Sequence, residues 1–210
     1  RHGWMVLNFN DEDMKTPKSN VLQIRIPKDI SNVNVQSLSG DTQLATAVKN
    51  VLIQSKSGDV EVATEDNPLA RVENLTVQTV SGDIKGPGRF DHLKFNSVSG
   101  DVKLQNLDRV LEIDGQSVSG DLRLKTSEPL DASIDFQTTS GDMRIAHSLM
   151  PRSANGVHGR PKAGTVLTLG KGTTKIEFQS VSGDFSIRYS RKDGSENEQN
   201  SPDGDDQDGD

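Results

Sequence analysis

The chain contains no cysteine, which excludes disulfide staples and thiolate metal sites and is compatible with an oxidising or periplasmic setting. Aromatic residues make up only 4% of it, with a single Trp and a single Tyr. With 31% hydrophobic residues in all, a thick globular core is excluded, although Leu, Ile, Val and Phe are frequent enough for a thin one. No run approaches the roughly 20 apolar residues of a membrane-crossing helix, so no transmembrane segment is expected in this chain. Positive charge is not in excess either, since 24 basic residues stand against 31 acidic ones. Residues 191–210 hold eight acids against Arg191 and Lys192, so the tail carries -6 of the net -7. The rest has no basic footprint, and nucleic acid is excluded as a partner on that ground. The tail is expected to be a disordered acidic segment. The first residue is Arg1 rather than Met, an opening expected of a processed or truncated product with any signal peptide upstream.

What the chain does have is a repeat. Ser-Gly-Asp occurs at 39–41, 57–59, 81–83, 99–101, 119–121, 140–142 and 182–184, with spacings of 18, 24, 18, 20, 21 and 42. A hydroxyl residue lies two positions ahead of every copy: Ser37, Ser55, Thr79, Ser97, Ser117, Thr138 and Ser180. Apolar and polar residues alternate on both sides, as in Val33/Val35 before a motif and Val102/Leu104 after one, which is the period of a strand with one buried face. The unit is therefore strand, corner, strand, turn, with turn formers such as Asp66-Asn67-Pro68 and Gly86-Pro87-Gly88 between units. Phe90 and Leu130, just past such turns, are expected to point inward and to open a short third strand. Asp114-Gly115-Gln116, between Ile113 and Ser117, reads as a bulge.

Identical corners are most easily satisfied by stacking. The fold expected is all-β, a single-domain parallel β-solenoid of about eight coils of roughly twenty residues, with the Ser-Gly-Asp corners stacked. Residues 1–20 are read as an N-terminal cap, with Trp4 packing into it, and 21–190 as the repeat domain, beginning with a strand at Val21 to Ile26. The gap of 42, twice twenty-one, suggests a coil whose corner has degenerated or been replaced by an insertion. The structural corners are Gly40, Asp41, Gly58, Asp59, Gly82, Asp83, Gly100, Asp101, Gly120, Asp121, Gly141, Asp142, Gly183 and Asp184. In these the glycine supplies positive φ and the aspartate caps backbone N–H groups.

Stacked aspartates would repel, so each must turn to backbone donors or share a cation. Turn capping is the reading preferred and no cofactor is expected; calcium, which takes oxygen ligands, is the alternative, at Asp83, Asp101 and Asp121. No carboxylate pair, nucleophile elbow, phosphate loop or metal-spaced histidine pair suggests catalysis, so the chain reads as non-enzymatic. A carbohydrate-processing or calcium-dependent glycan-binding β-helix is the alternative. The insertion loop 147–164 gathers His147, Arg152, His158, Arg160 and Lys162, and is the loop to consider for binding.

The repeated Val-Ser-Gly-Asp with its alternating flanks resembles a bacterial family of adhesin-type domains of unknown function, described by its β-strand repeats. The Arg-His-Gly-Trp opening, the acidic spacer and Val21-Leu22-Gln23-Ile24-Arg25-Ile26-Pro27 are similar to it too, so the likeness runs from about residue 1 to 190. The resemblance implies an exported protein of the cell envelope, periplasmic, surface-located or secreted, with an adhesive or scaffolding role toward an envelope protein or glycan and a link to envelope stress signalling in some relatives. It supplies no catalytic residues.

Overall fold

A computed structural model of the 210-residue chain describes residues 3–9, 30–44, 47–62, 71–88, 90–107, 110–149, 164 and 166–190. The expected strand at Val21 to Ile26, most of the 147–164 loop and the acidic tail lie outside the described residues. In chain order the strands are β1 (Gly3–Phe9), β2 (Ile30–Ser37), β3 (Thr42–Leu44), β4 (Val48–Ser57), β5 (Val60–Val62), β6 (Val72–Ser81), β7 (Ile84–Pro87) and β8 (Phe90–Ser99). They continue with β9 (Val102–Gln105), β10 (Glu112–Ser119), β11 (Leu122–Thr126), β12 (Ala132–Ser140), β13 (Met143–Ile145), β14 (Val166–Leu169), β15 (Thr174–Ser182) and β16 (Phe185–Tyr189).

The alternation read from the sequence becomes two facing sheets. The larger runs β1-β2-β4-β6-β8-β10-β15-β12-β14 and the smaller β13-β16-β11-β9-β7-β5-β3. Every pairing is parallel except that of β12 with β14. Each Ser-Gly-Asp joins one strand of the larger sheet to one of the smaller, giving seven such rungs among the described residues, with β1 as a further strand of the larger sheet alone. No third sheet closes the other side among the described residues. Phe90 begins β8 itself and Leu130 precedes β12, so neither opens a third strand. β1 and β14 are the two edge strands of the larger sheet.

The core is thin and built from columns of like residues. Val33, Val51, Leu75, Leu93, Ile113, Ile176 and Ile134 stack in register and are buried. The next inward column reads Val35, Ile53, Val77, Phe95, Gly115, Phe178 and Phe136. Gly115 is thus no bulge: β10 runs in unbroken register with β8 from Glu112 to Ser117. A Cβ there would lie 2.2 Å from Cζ of Phe95, whose ring takes the space a side chain would fill. Phe178 then meets Phe95 at 5.9 Å between ring centroids and stacks on Phe136 at 5.7 Å, so the glycine lets large rings alternate with a gap.

The spacing of 42 has an explanation the sequence does not suggest. The terminal pair β15–β16 inserts between β10–β11 and β12–β13, so the corner of residues 182–184 stacks between those of 119–121 and 140–142, and no intermediate rung stands in this part of the stack. The connection beyond β13 starts with a single 3-10 turn at His147–Leu149 and returns through β14, which runs antiparallel along the outer edge of β12.

Gly115→Ala is expected to destabilise the fold by about 1–3 kcal/mol through overpacking. Adding Phe95→Leu should restore part of the loss in thermal melts. A lone Gly115→Ala as stable as the parent would show that the ring does not depend on the missing Cβ.

Candidate functional site

The corner column is held by close backbone approach. A Cβ on Gly58, Gly82, Gly100 or Gly120 would lie 2.2–2.4 Å from the carbonyl oxygen of the glycine one rung away. Gly40, Gly58, Gly82, Gly100 and Gly120 also have φ between 102° and 157°. Gly141 and Gly183 do not share that left-handed conformation, yet a Cβ on them would sit 2.1 Å and 2.2 Å from the carbonyl oxygens of Gly183 and Gly120. Positive φ therefore explains five of the seven glycines, and contact between rungs explains all but Gly40, whose Cβ would meet nothing within 4 Å.

The aspartates form a ladder along the same column. The N–H groups of Asp59, Asp83, Asp101, Asp121, Asp184 and Asp142 donate in turn to Oδ1 of Asp41, Asp59, Asp83, Asp101, Asp121 and Asp184, at 2.8–3.1 Å. The carbonyl of each of the six also accepts an N–H from the rung before it, as Asp101 does from Ile84 at 2.9 Å. The second carboxylate oxygen meets a cation two residues beyond an aspartate. Lys85 lies 2.5 Å from Asp59 and 3.4 Å from Asp83, and Lys103 lies 2.8 Å from Asp83 and 3.3 Å from Asp101. Arg123 bridges Asp101 and Asp121, and Arg144 bridges Asp142 and Asp184. Backbone donors and shared side-chain cations together answer the repulsion expected of stacked carboxylates.

Hydrogen bonding to Lys85 holds Asp59 below its ordinary value. Burial opposes the charge on Asp83, but the Lys103 ammonium and the Asp101 N–H outweigh it and hold the carboxyl at about 2. Burial likewise works against Asp101, which the Asp121 N–H and Arg123 keep low. At Asp83, Asp101 and Asp121, the residues considered for calcium, one carboxylate oxygen takes a backbone N–H and the other a lysine or arginine. Among the described residues no group of three or more His, Asp or Glu is placed to hold a metal ion.

Beside the corner, the outer face of the larger sheet carries a strip that the sequence reading passed over. Three positions before each motif stands an amide: Gln36, Gln54, Gln78, Asn96, Gln116, Gln179 and Gln137 in stack order. One position before it stand Leu38, Lys56, Val80, Val98, Val118, Val181 and Thr139. Val80, Val98, Val118 and Val181 are each about half exposed, at 49%, 48%, 50% and 54%. Only one of these fourteen residues, Lys56, is charged, where a chain with 26% charged residues would place roughly four. Between the two columns the hydroxyl residues turn inward. Ser37 and Ser55 donate to the carbonyls of Ser39 and Ser57 at 2.9 and 3.0 Å, tying down the bend. The first four rungs of the strip enclose a shallow groove of about 710 Å³.

The structure thus brings all fourteen corner residues into one column. It gathers none of the loop candidates, since Arg152, His158, Arg160 and Lys162 lie outside the described residues and only the backbone of His147 is described. Two signals were available and unread: a basic residue two places after four of the seven aspartates, and an amide three places before all seven motifs.

Gly183→Ala tests the contact account, because its φ is not left-handed. A loss of more than about 2 kcal/mol is expected in denaturant unfolding, whereas an account from φ alone requires a neutral or slightly stabilising change of about 0.4–1 kcal/mol. The depressed carboxyls give a second test. The stability they contribute is complete above their unfolded value of about 4 and is lost as pH falls toward their folded values, about 2 for Asp83. Asp83→Asn keeps an acceptor for the Asp101 N–H but cannot ionise, so it should lower Tm at neutral pH and make the fall of Tm between about pH 4 and 2 shallower. An unchanged slope would separate the charge of the column from folding.

Comparison with known proteins finds no match among curated proteins and none among solved structures. One family model does match, over residues 1–156 and again over 88–188, the Toastrack DUF4097 model, which describes a domain of unknown function with repeated β-strands. The two matches overlap across the central rungs, as a repeat that can be aligned in more than one phase allows. Together they span the stack from β1 into β16, and the chain belongs to the Toastrack DUF4097 family.

Proposed function

We propose that this chain is a non-enzymatic β-solenoid scaffold of the bacterial cell envelope, with an adhesin-type role in contact with an envelope protein or glycan. The observation that carries the reading is the strip of amides beside a mainly apolar column, valine at four of seven rungs with Lys56 its one charge, on a backbone that the corner ladder holds in register. A repeated surface of one chemistry suits an extended partner better than a single small molecule. The carboxylates of the corner column are engaged with N–H groups and cations, which suits structural work rather than acid and base catalysis. The envelope location and a link to envelope stress rest on the resemblance carried by the repeat and by the segment at Val21 to Pro27. Among the described residues no helix is long and apolar enough to cross a membrane.

Co-sedimentation of the full chain with isolated cell-envelope fractions tests this. The double variant Val98→Asp/Val118→Asp changes two half-exposed positions on neighbouring strands and should stay folded, its two carboxylates one rung apart lowering the melting temperature by a few degrees, a cost of about 1 kcal/mol. It is expected to lose most of the co-sedimented protein. Undiminished binding by a folded double variant would remove the strip from the contact and the reading with it.

A further inference from the structure

We propose that the strip is the binding site of a neutral, extended glycan of the β-1,4-linked hexose type, held without a metal ion. The proposal rests on the contact-scaffold reading above and names its partner. The strip is long and narrow: seven rungs at about 4.8 Å extend roughly 29 Å along the stack, while its two columns lie only two residues apart along each strand. Such a shape fits one extended chain lying across the strands better than the broad face of a globular partner, whose stable interfaces bury at least about 1,000 Å².

Charge narrows the class. With Lys56 the one charged residue of the fourteen, a polyanionic chain finds a single complementary charge in the strip and a polycationic one finds none, whereas a neutral one loses no ionic solvation on docking. The two columns also differ in chemistry in the way a pyranose chain does. Hydroxyls along its edges both donate and accept, as side-chain amides do, and the C–H faces of its rings can lie on the valine stripe. Gln36 donates to Gln54 and Gln54 to Gln78 at 2.9 and 2.8 Å, but the amides of Asn96, Gln116 and Gln179 have no partner among the described residues.

Period discriminates further. In a flat β-1,4-linked hexose chain alternate sugars are turned over, so a ring face can lie over each rung while equivalent hydroxyl edges return at every second one. A peptide strand repeats its side chains about every 6.7 Å and falls out of step with the rungs. A polyproline II peptide, with about 9.3 Å per turn, keeps step with every second rung. Its backbone offers mainly carbonyl acceptors, however, and leaves the amide oxygens of the strip unpaired.

The test is isothermal titration of the full chain with hexa-N-acetylchitohexaose and cellohexaose, both neutral and β-1,4-linked, with their disaccharides, and with a proline-rich peptide. Binding of at least one hexasaccharide is expected, weakened roughly tenfold or more for the disaccharide and for Val98→Asp/Val118→Asp. It should persist in chelator and change little from low to high salt. Val98→Thr/Val118→Thr, which keeps the β-branched shape and so the fold, should weaken binding in the same direction. Failure of both hexasaccharides to bind, a calcium requirement, preference for the peptide, or full affinity in a folded strip variant would each overturn the proposal. The envelope co-sedimentation separates the two levels. If envelope fractions still bind through Val98 and Val118 while neutral glycans do not, the contact reading stands and the glycan falls. If the strip variant changes neither, both fall.

Discussion

Neighbouring rungs approach so closely at the corner that one glycine's carbonyl oxygen occupies the place where the next residue's Cβ would be. Everything else in the stack follows from this contact. It aligns the aspartate of one rung under the N–H of the next, sets the register of both sheets at once, and leaves the residues on either side to form columns of like kind. A column magnifies whatever it repeats. Valine repeated inward is a core, aspartate repeated at a corner is a row of like charge, and valine repeated outward is an apolar stripe. The chain handles each differently: burial for the first, backbone donors and interleaved lysines and arginines for the second, and solvent exposure for the third.

The cations deserve comparison with ordinary surface pairs. A single exposed pair contributes little, about 0–1 kcal/mol, because solvent screens it and two long side chains must be ordered. Lys85 and Lys103 each sit between two aspartates already fixed by backbone hydrogen bonds, so only the lysine has to be ordered and each charge serves two partners. Asp59 and Asp184, whose second following residues are not basic, take their cations from one rung further on, Lys85 and Arg144.

The borrowing from Arg144 depends on the inserted terminal pair, whose placement also shows what a uniform repeat leaves undecided. Ser180 aligns with Ser117 on one side and with Thr138 on the other, and Phe178 aligns with Gly115 and Phe136. Rungs of one pattern can stack in several orders, so local signals do not rank them. Packing specific to this arrangement does so. Thr174 donates to the carbonyl of Val110 and its own N–H to that of Asp131, while Lys175 reaches Glu112, so β15 is tied to both of its neighbours.

By itself the sequence determined the strands that flank each corner, the corners and the parallel all-β class, because period-two alternation and a recurrent Ser-Gly-Asp are local consequences of a pleated backbone and a tight turn. It also carried the need for donors or cations around the stacked aspartates, since like charge at one rung's spacing is costly wherever it occurs. Only the tertiary structure decided that the seven glycines answer mainly to contact between rungs, that Gly115 is a space for Phe95 rather than a bulge, and that the last two strands stand inside the stack. The uncharged strip belongs to the same group, although its amides recur visibly three places before every motif. Its meaning appears only when residues some twenty positions apart are brought within one strand spacing, because a surface is a property of neighbours in space, and a parallel stack makes neighbours of residues that the chain keeps apart.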